Sequence, residues 1–407
     1  MKLTIPYGNV TMPLNLDGRS IREVSPKHVS VMDDVLSKSL VHSRESSSLE
    51  SFVSERKKLL LVINDHTRPF ASGLLGRLPL KCSDVTTIVA TGSHREPTPE
   101  ELRLLFGGDA PPYGGRVVIH NSRDPSCLKT LGSTTRGTDV RLNLNVFNSD
   151  GIIVIGSVEP HYYAGFTGGR KFLLPGLAAF ESIEMNHSLA LDDKAQILRL
   201  EGNPVHEDFM DALRMFGRND DIYSIQLVMN NNHEIEFASS GNILSSFMDA
   251  VQQATKKFVC EIDYKADILI AVVNSPLDID LYQAHKAIEN VKLALKDDGV
   301  LILVAKCSDG IGNRGFYDIL SSKSDILEAV TQKYTFGGHK ALRITQLLQR
   351  VKIFAVTEIA PTLMETISIR PFSDLQSAME EAVKLKGSDL NILLVHDAGV
   401  AVPVPRT

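Results

Sequence analysis

Residues 150–176 read DGIIVIGSVEPHYYAGFTGGRKFLLPG, and they open as one kind of structure and close as another. The first seven form an apolar run of strand length. The residues beyond them set a histidine, two tyrosines, an arginine, a lysine and glycines at 165, 168, 169 and 176 into one loop. A linker has no use for the aromatics or the histidine, and a core segment has none for the glycines and adjacent charges. Polar, glycine-rich loops beyond the carboxyl ends of apolar strands are where open α/β sheets bind ligands. The stretch therefore predicts an α/β fold with a site at this strand end.

Other segments repeat the pattern. KLLLVIN (58–64) reads as a buried strand followed by DHTRPF and an apolar helical stretch, SGLLGRL (72–78). VTTIVATG (85–92) runs into SHREPTPEELRLLF, where Thr98, Pro99 and Glu101 read as N-cap, first-turn proline and capping-box glutamate. GRVVIH (115–120) is a further strand, SIQLVMN and HEIEFAS bracket a hairpin turn, and the first 16 residues alternate like a hairpin. From about residue 265, ADILIAVVN, GVLILVAKC, VKIFAVTEI and NILLVHDAG are apolar strands separated by helical segments. The chain thus predicts two α/β domains, each with a mixed or parallel sheet flanked by helices. The expected division is 1–265, carrying cofactor and catalysis, and 266–407, closing over the substrate, with the active site in the cleft between them.

At 407 residues the chain is too long for one ordinary core. A net charge of −6 argues against a phosphate-backbone partner, so no nucleic acid is expected. The apolar runs are far short of a membrane span, and the N-terminus lacks the apolar core of a signal peptide. Cys82, Cys127, Cys260 and Cys307 stand far apart without CxxC spacing, which favours reduced thiols and a cytoplasmic location.

Among twelve histidines, context singles out a few. His94 follows a strand and the turn TGS, as a general base would, or as a histidine bonded to its own turn would. Arg68, three after Asp65, suits a carboxylate or phosphate clamp, or an N-capped helix entry. The loop holding His161, Arg170 and Lys171 fails as a P-loop, because Phe172 follows the lysine and the glycine spacing is wrong. Successive glycine amides can still cradle a phosphate, and lysine forms covalent links with carbonyl-type carbons. His187 alone reads as structural, since neither HExxH nor a close histidine pair is present. Gln283 and Lys286 share one helical face, which by itself is an ordinary amphipathic helix.

Taken in order, DHTRP, TGSHR, HYYAGFTGGRKFLLPG, the following NH, and YQAHK resemble the nickel-dependent lactate racemase family of 2-hydroxyacid racemases and epimerases. A histidine, a lysine ten residues on and a histidine sixteen beyond that form a specific match; Thr167 departs slightly from an expected serine. The resemblance implies that Lys171 holds a nickel-pincer nucleotide (pyridinium-3-thioamide-5-thiocarboxylic acid mononucleotide) through a thioamide bond. It implies His187 as the protein ligand to nickel, with Asp65, Thr67, Gly168 and Gly169 also on the cofactor side. His94 and His161 would be paired acid/bases, and Arg68, Gln283, Lys286 and Tyr282 would hold the substrate. Cofactor-maturation proteins would be partners.

Chemistry makes sense of the set. The hydrogen at C2 of a 2-hydroxy acid is scarcely acidic, so moving it as hydride avoids a carbanion while a base takes the hydroxyl proton. The two enantiomers present their hydroxyls on different sides, hence two histidines, and activity should fall in acid. The glycines would let the backbone approach the nucleotide. Two other classes remain: a metal-dependent hydrolase with His94, His161 and His187 on zinc, and a non-catalytic binder of small carboxylates.

Overall fold

The structure is a computed structural model that describes residues 2–29, 34–68, 70–71, 73–80, 84–322 and 326–406. It divides into two compact units, one made of His28–Glu159 and Tyr163–Lys256, the other of Met1–Lys27, Pro160–Tyr162 and Lys257–Thr407.

The first unit is built on a six-stranded sheet in the order Ile235–Gly241, Ile222–Met229, Gly151–Ser157, Lys58–Asn64, Asp84–Ala90, Arg116–Ile119. Its pairings are parallel except for the antiparallel hairpin at one edge. Gly151–Ser157 is buried throughout and Lys58–Asn64 nearly so, because each has parallel neighbours on both sides. That is why both read as unbroken apolar runs rather than alternating ones. From Lys58–Asn64 the chain moves outward to Asp84–Ala90 and Arg116–Ile119 on one side, while Gly151–Ser157 lies on the other. The order therefore switches between these two central strands. Ligand crevices in such sheets open at the switch point, beyond the carboxyl ends. The loop beginning at Asp65 and the loop leaving Ser157 start there.

The second unit repeats the solution. Its sheet runs Arg370–Phe372, Lys352–Val356, Leu295–Val304, Ala266–Val272, Ile392–Val395, Arg22–Val24, with every pairing parallel. Here the order switches between Ala266–Val272 and Ile392–Val395. The segment after Val272 leads into the helix Leu281–Val291, whose N-cap Asp280 accepts a hydrogen bond from Gln283 N at 2.6 Å. Cys260 and Cys307 are buried here, unbonded to other cysteines, as is the half-buried Cys127 of the first unit; Cys82 lies outside the described residues. No helix among the described residues is long and apolar enough to cross a membrane.

Two expectations need correction. The division is not a single cut at 265: residues 2–27 belong with the C-terminal strands. The hairpin Lys2–Tyr7 and Val10–Asn15 packs Ile5, Tyr7, Leu14 and Leu16 against Ile268, Ile270 and Val304, and Arg22–Val24 pairs with Ile392–Val395. Pairing across such a sequence separation leaves no local trace. SGLLGRL forms no α-helix among its described residues, only the 3-10 turn Leu75–Arg77, with Gly73 at φ +70° interrupting helical backbone. The other strands, and the capped helix Pro99–Phe106, stand where their patterns place them.

A chain beginning at His28 should lose the burial of those four side chains, at least about 6 kcal/mol at ~1.5 kcal/mol each. It should unfold at lower temperature and aggregate through the uncovered edge of Ile392–Val395. Thermal unfolding and size-exclusion chromatography against the full chain check this.

Candidate active site

The loop after Lys58–Asn64 turns back on itself through Asp65. Thr67 donates to Asp65 Oδ1 from its amide at 3.1 Å and its hydroxyl at 2.7 Å, and Arg68 N closes the turn onto Asp65 O at 3.3 Å. The other carboxylate oxygen, Oδ2, lies 2.7 Å from His94 Nδ1, and the Thr67 hydroxyl 3.2 Å from the same nitrogen. An ionised carboxylate only accepts, so Nδ1 carries the proton and Nε2 keeps its lone pair. The Asp65 side chain is 3% exposed and that of His94 36%. Burial works to raise the Asp65 carboxyl. The His94 imidazole, the Thr67 hydroxyl and the Arg68 charge outweigh it and hold it at about 2. The neighbouring His66 imidazole is lowered by burial against the pull of Asp65 and Glu101.

The loop after Gly151–Ser157 is organised by Arg170, which is 1% exposed. Its guanidinium donates to the carbonyls of Ala164 (2.9 Å), Phe166 (3.1 Å), Gly168 (3.3 Å) and Thr167 (3.5 Å), and to His206 Nδ1 at 3.0 Å. Burial lowers this guanidinium to about 9, and together with the Arg170 charge burial holds His206 neutral, down at about 3. Nothing local to the sequence distinguishes Arg170, which faces inward, from its neighbour Lys171. The lysine is half-buried and lies 5.7 Å from the centre of the Tyr163 ring.

The opposite contact of Tyr163 is His187, with Tyr163 Oη and His187 Nε2 2.7 Å apart and ring centres 5.2 Å apart. One aromatic ring thus brings Lys171 and His187 together. His187 sits on the helix Phe180–Ser188, and its neighbour Asn186 is fixed by Asp208, a buried carboxylate that also accepts from Thr134 and Thr138. Asn186 Oδ1 and Ser157 Oγ are buried without a hydrogen-bond partner among the described residues. Gly92 N donates to Gly176 O at 3.1 Å, which joins the His94 loop to the Lys171 loop. The glycines have a packing reason of their own. A Cβ on Gly168 (φ +79°) would lie 2.6 Å from Gln226 Oε1, and one on Gly169 (φ +52°) 2.8 Å from the Phe247 ring.

In the second unit, His161 is buried, with its ring stacked on Tyr162 at 5.2 Å. Tyr282, Gln283 and Lys286 lie on one helix, and Gln283 Oε1 is a buried acceptor with no hydrogen-bond partner among the described residues. Further along that helix the buried Glu289 is bonded to Lys292 at 2.9 Å and Arg343 at 3.0 Å. Lys340, which no motif pointed to, donates to Tyr282 O at 2.5 Å and lies 3.4 Å over its ring. Only their arrival on a separate helix, Gly338–Leu348, brings Lys340 and Arg343 into this neighbourhood.

Among the described residues no group of three or more His, Cys, Asp or Glu could hold a metal ion. A metal bound by protein side chains alone has no ligand set here, whereas a group bringing its own metal ligands fits one histidine beside one lysine. The orphaned acceptor of Asn186, next to His187, is consistent with such a group. Within the first unit the loops at the strand ends thus bring together an imidazole oriented by a carboxylate and an amine beside a second imidazole.

Comparisons with known proteins agree. Residues 7–198 match a family model described as the lactate racemase N-terminal domain, and residues 262–404 one described as the lactate racemase C-terminal domain. The chain belongs to the lactate racemase family. It is 28% identical to a lactate racemase of Thermoanaerobacterium thermosaccharolyticum, over 99% of each chain. It is 29% identical to one of Lactiplantibacillus plantarum, over 98% of this chain and 99% of that one. The solved lactate racemase apoprotein from T. thermosaccharolyticum superposes with a TM-score of 0.90 at 26% identity, covering all of both chains. A Thermotoga maritima protein shares the fold, with a TM-score of 0.70 at 17% identity over 88% of this chain and 96% of that one.

The depressed Asp65 carboxyl stabilises the folded state above the ordinary carboxylate value of 3.8 and loses that contribution as pH falls through about 2. Asp65→Asn should cost roughly 2 kcal/mol at pH 7. Urea unfolding of both proteins between pH 7 and pH 2 should show the gap narrowing only below about pH 4.

Proposed function

We propose that this chain is a nickel-dependent 2-hydroxyacid racemase or epimerase acting on lactate or a related 2-hydroxycarboxylate. The observation that carries the reading is the meeting of Lys171 and His187 at the Tyr163 ring, within a chain of the lactate racemase family.

In this reading Lys171 would hold the nickel-pincer nucleotide covalently, and His187 would be the protein ligand to nickel. Asp65, Thr67, Gly168 and Gly169 form the cofactor-side surroundings. When bound, the cofactor would supply hydride-accepting chemistry for the C2 hydrogen. The protein's own task is the proton. His94, with Nδ1 turned to Asp65, offers Nε2 to the substrate hydroxyl of one enantiomer, and the Asp65 charge stabilises the imidazolium that forms. His161 serves the other enantiomer. Arg68 and Lys286 hold the carboxylate while the planar keto acid turns, and Gln283 Oε1 gains a donor from a substrate hydroxyl. Proteins that build the cofactor are the implied partners, in the cytoplasm.

Intact mass and nickel content, measured on denatured and native protein from a cofactor-building host, test the assignment. Wild type should carry a nucleotide-sized adduct that Lys171→Ala lacks, with chiral chromatography showing racemisation only in wild type. Retained racemisation by Lys171→Ala would refute it. His94→Gln and His161→Gln should each keep adduct and nickel yet slow racemisation about 10²- to 10⁴-fold, the usual share of a general base. An adduct lost with either histidine would move that residue from proton transfer to cofactor binding.

A further inference from the structure

Behind His161 stands an array that the proposed chemistry does not use. Four rings follow one another in near-parallel planes. His161 stacks on Tyr162 with 5.2 Å between centres and 18° between planes. Tyr162 and His339 lie in near-parallel planes, 16° apart with centres 6.2 Å apart, and so do His339 and Tyr334, at 15° and 6.1 Å. Hydrogen bonds run along the column. Tyr162 Oη lies 3.0 Å from His339 Nε2, and His339 Nδ1 lies 2.7 Å from Tyr334 Oη. Tyr162 and His339 are 3% and 1% exposed, so these bonds form away from solvent.

The geometry carries a physical argument. Stacking alone contributes about 0.5–1.5 kcal/mol and leaves a ring able to slide and turn in its plane. A hydroxyl bonded to a buried imidazole removes that freedom, because breaking the bond strands a polar atom at a cost of about 1–3 kcal/mol. Both nitrogens of His339 are engaged by tyrosine hydroxyls, so the ring is fixed in its own plane. The edge of His285, 5.4 Å from the Tyr162 centre, and the charges of Lys340 and Arg343, at 5.7 and 6.0 Å, close the remaining sides of Tyr162. Tyr162 is thereby a fixed plate, and His161 rests on it.

We propose that His339 is a positioning residue for His161, acting through Tyr162, whose ring it locks so that the imidazole plane of His161 is set before substrate arrives. This rests on the reading of His161 as one of the two proton-exchanging groups. His94 is oriented by a charge, through Asp65. The ring of His161 is set against that of Tyr162.

The test uses the holoenzyme and, separately, the apoprotein. His339→Phe keeps an aromatic ring at that position and removes both hydrogen bonds; Tyr162→Phe keeps its stack on His161 and removes the Tyr162–His339 bond from the other side. Each should lower kcat on the order of tenfold to a hundredfold, the scale of a reacting group displaced by up to an ångström, with KM within about twofold. The double variant should be no worse than the worse single one, because both break one bond. Tyr334→Phe, which loses only the outer bond, should be milder. In 13C-histidine-labelled apoprotein, the His161 Cε1–H resonance, shifted upfield by the Tyr162 ring, should move downfield in His339→Phe and Tyr162→Phe. An unmoved resonance with kcat within about twofold, in variants whose thermal unfolding stays cooperative, would overturn the proposal; so would full additivity in the double variant. His339→Gln, which restores hydrogen bonding without the ring, repeats the test should the phenylalanine variant fail to fold. Wild-type holoenzyme without racemase activity would sink the reading of His161 instead, and the resonance would still report whether His339 sets that ring.

Discussion

The guanidinium of Arg170 is the constraint from which the cofactor-side loop takes its shape. A buried cation without a paired carboxylate is costly, and here the cost is met by four backbone carbonyls converging from residues 164 to 168. The same bonds satisfy carbonyls that a tight, glycine-rich turn would otherwise leave unpaired inside the protein. The loop therefore has one low-energy path. That path puts Lys171 beside Tyr163 and brings Gly168 and Gly169 flush against Gln226 and Phe247, where no side chain fits. The neutral state of His206 belongs to the same device, since a second positive charge beside Arg170 has nothing to balance it.

Both units apply one rule to different ends. Each sheet reverses its strand order once, and in each a loop leaving a strand at that reversal carries polar, titratable residues. The central strands are buried on both faces and can carry no chemistry of their own, so reactivity is displaced to their carboxyl ends. A strand such as Gly151–Ser157 is rigid, and a short loop leaving it inherits that rigidity. Asp65 and His94 illustrate the gain. They come from neighbouring parallel strands, Lys58–Asn64 and Asp84–Ala90, and their 2.7 Å contact is fixed by the pairing of those strands.

How legible this was depended on how local each cause was. Strands flanked by parallel neighbours announced themselves as apolar runs, and the helix Pro99–Phe106 by its capping box. The motifs around Asp65, His94, Lys171 and His187 were recognisable because each is a short, ordered string on one loop or helix turn. What could not be read was set by contacts between distant residues. The inward turn of Arg170 depends on carbonyl geometry, the arrival of Lys340 and Arg343 on helix packing, and the column behind His161 on residue 339 meeting residue 162. Asp208, whose bonds fix the residue beside His187, looked like any helical aspartate.

The pairing of Arg22–Val24 with Ile392–Val395 has a consequence for how the chain is made. During synthesis the hairpin Lys2–Tyr7 and Val10–Asn15 emerges well before the strand that Arg22–Val24 pairs with. Residues 28–256, apart from 160–162, can complete their own core in the meantime. Ile5, Leu14 and Leu16 must instead wait for Ile268, Ile270 and Val304, and Arg22–Val24 until Ile392–Val395 has left the ribosome. A segment translated early is thus among the last to be secured.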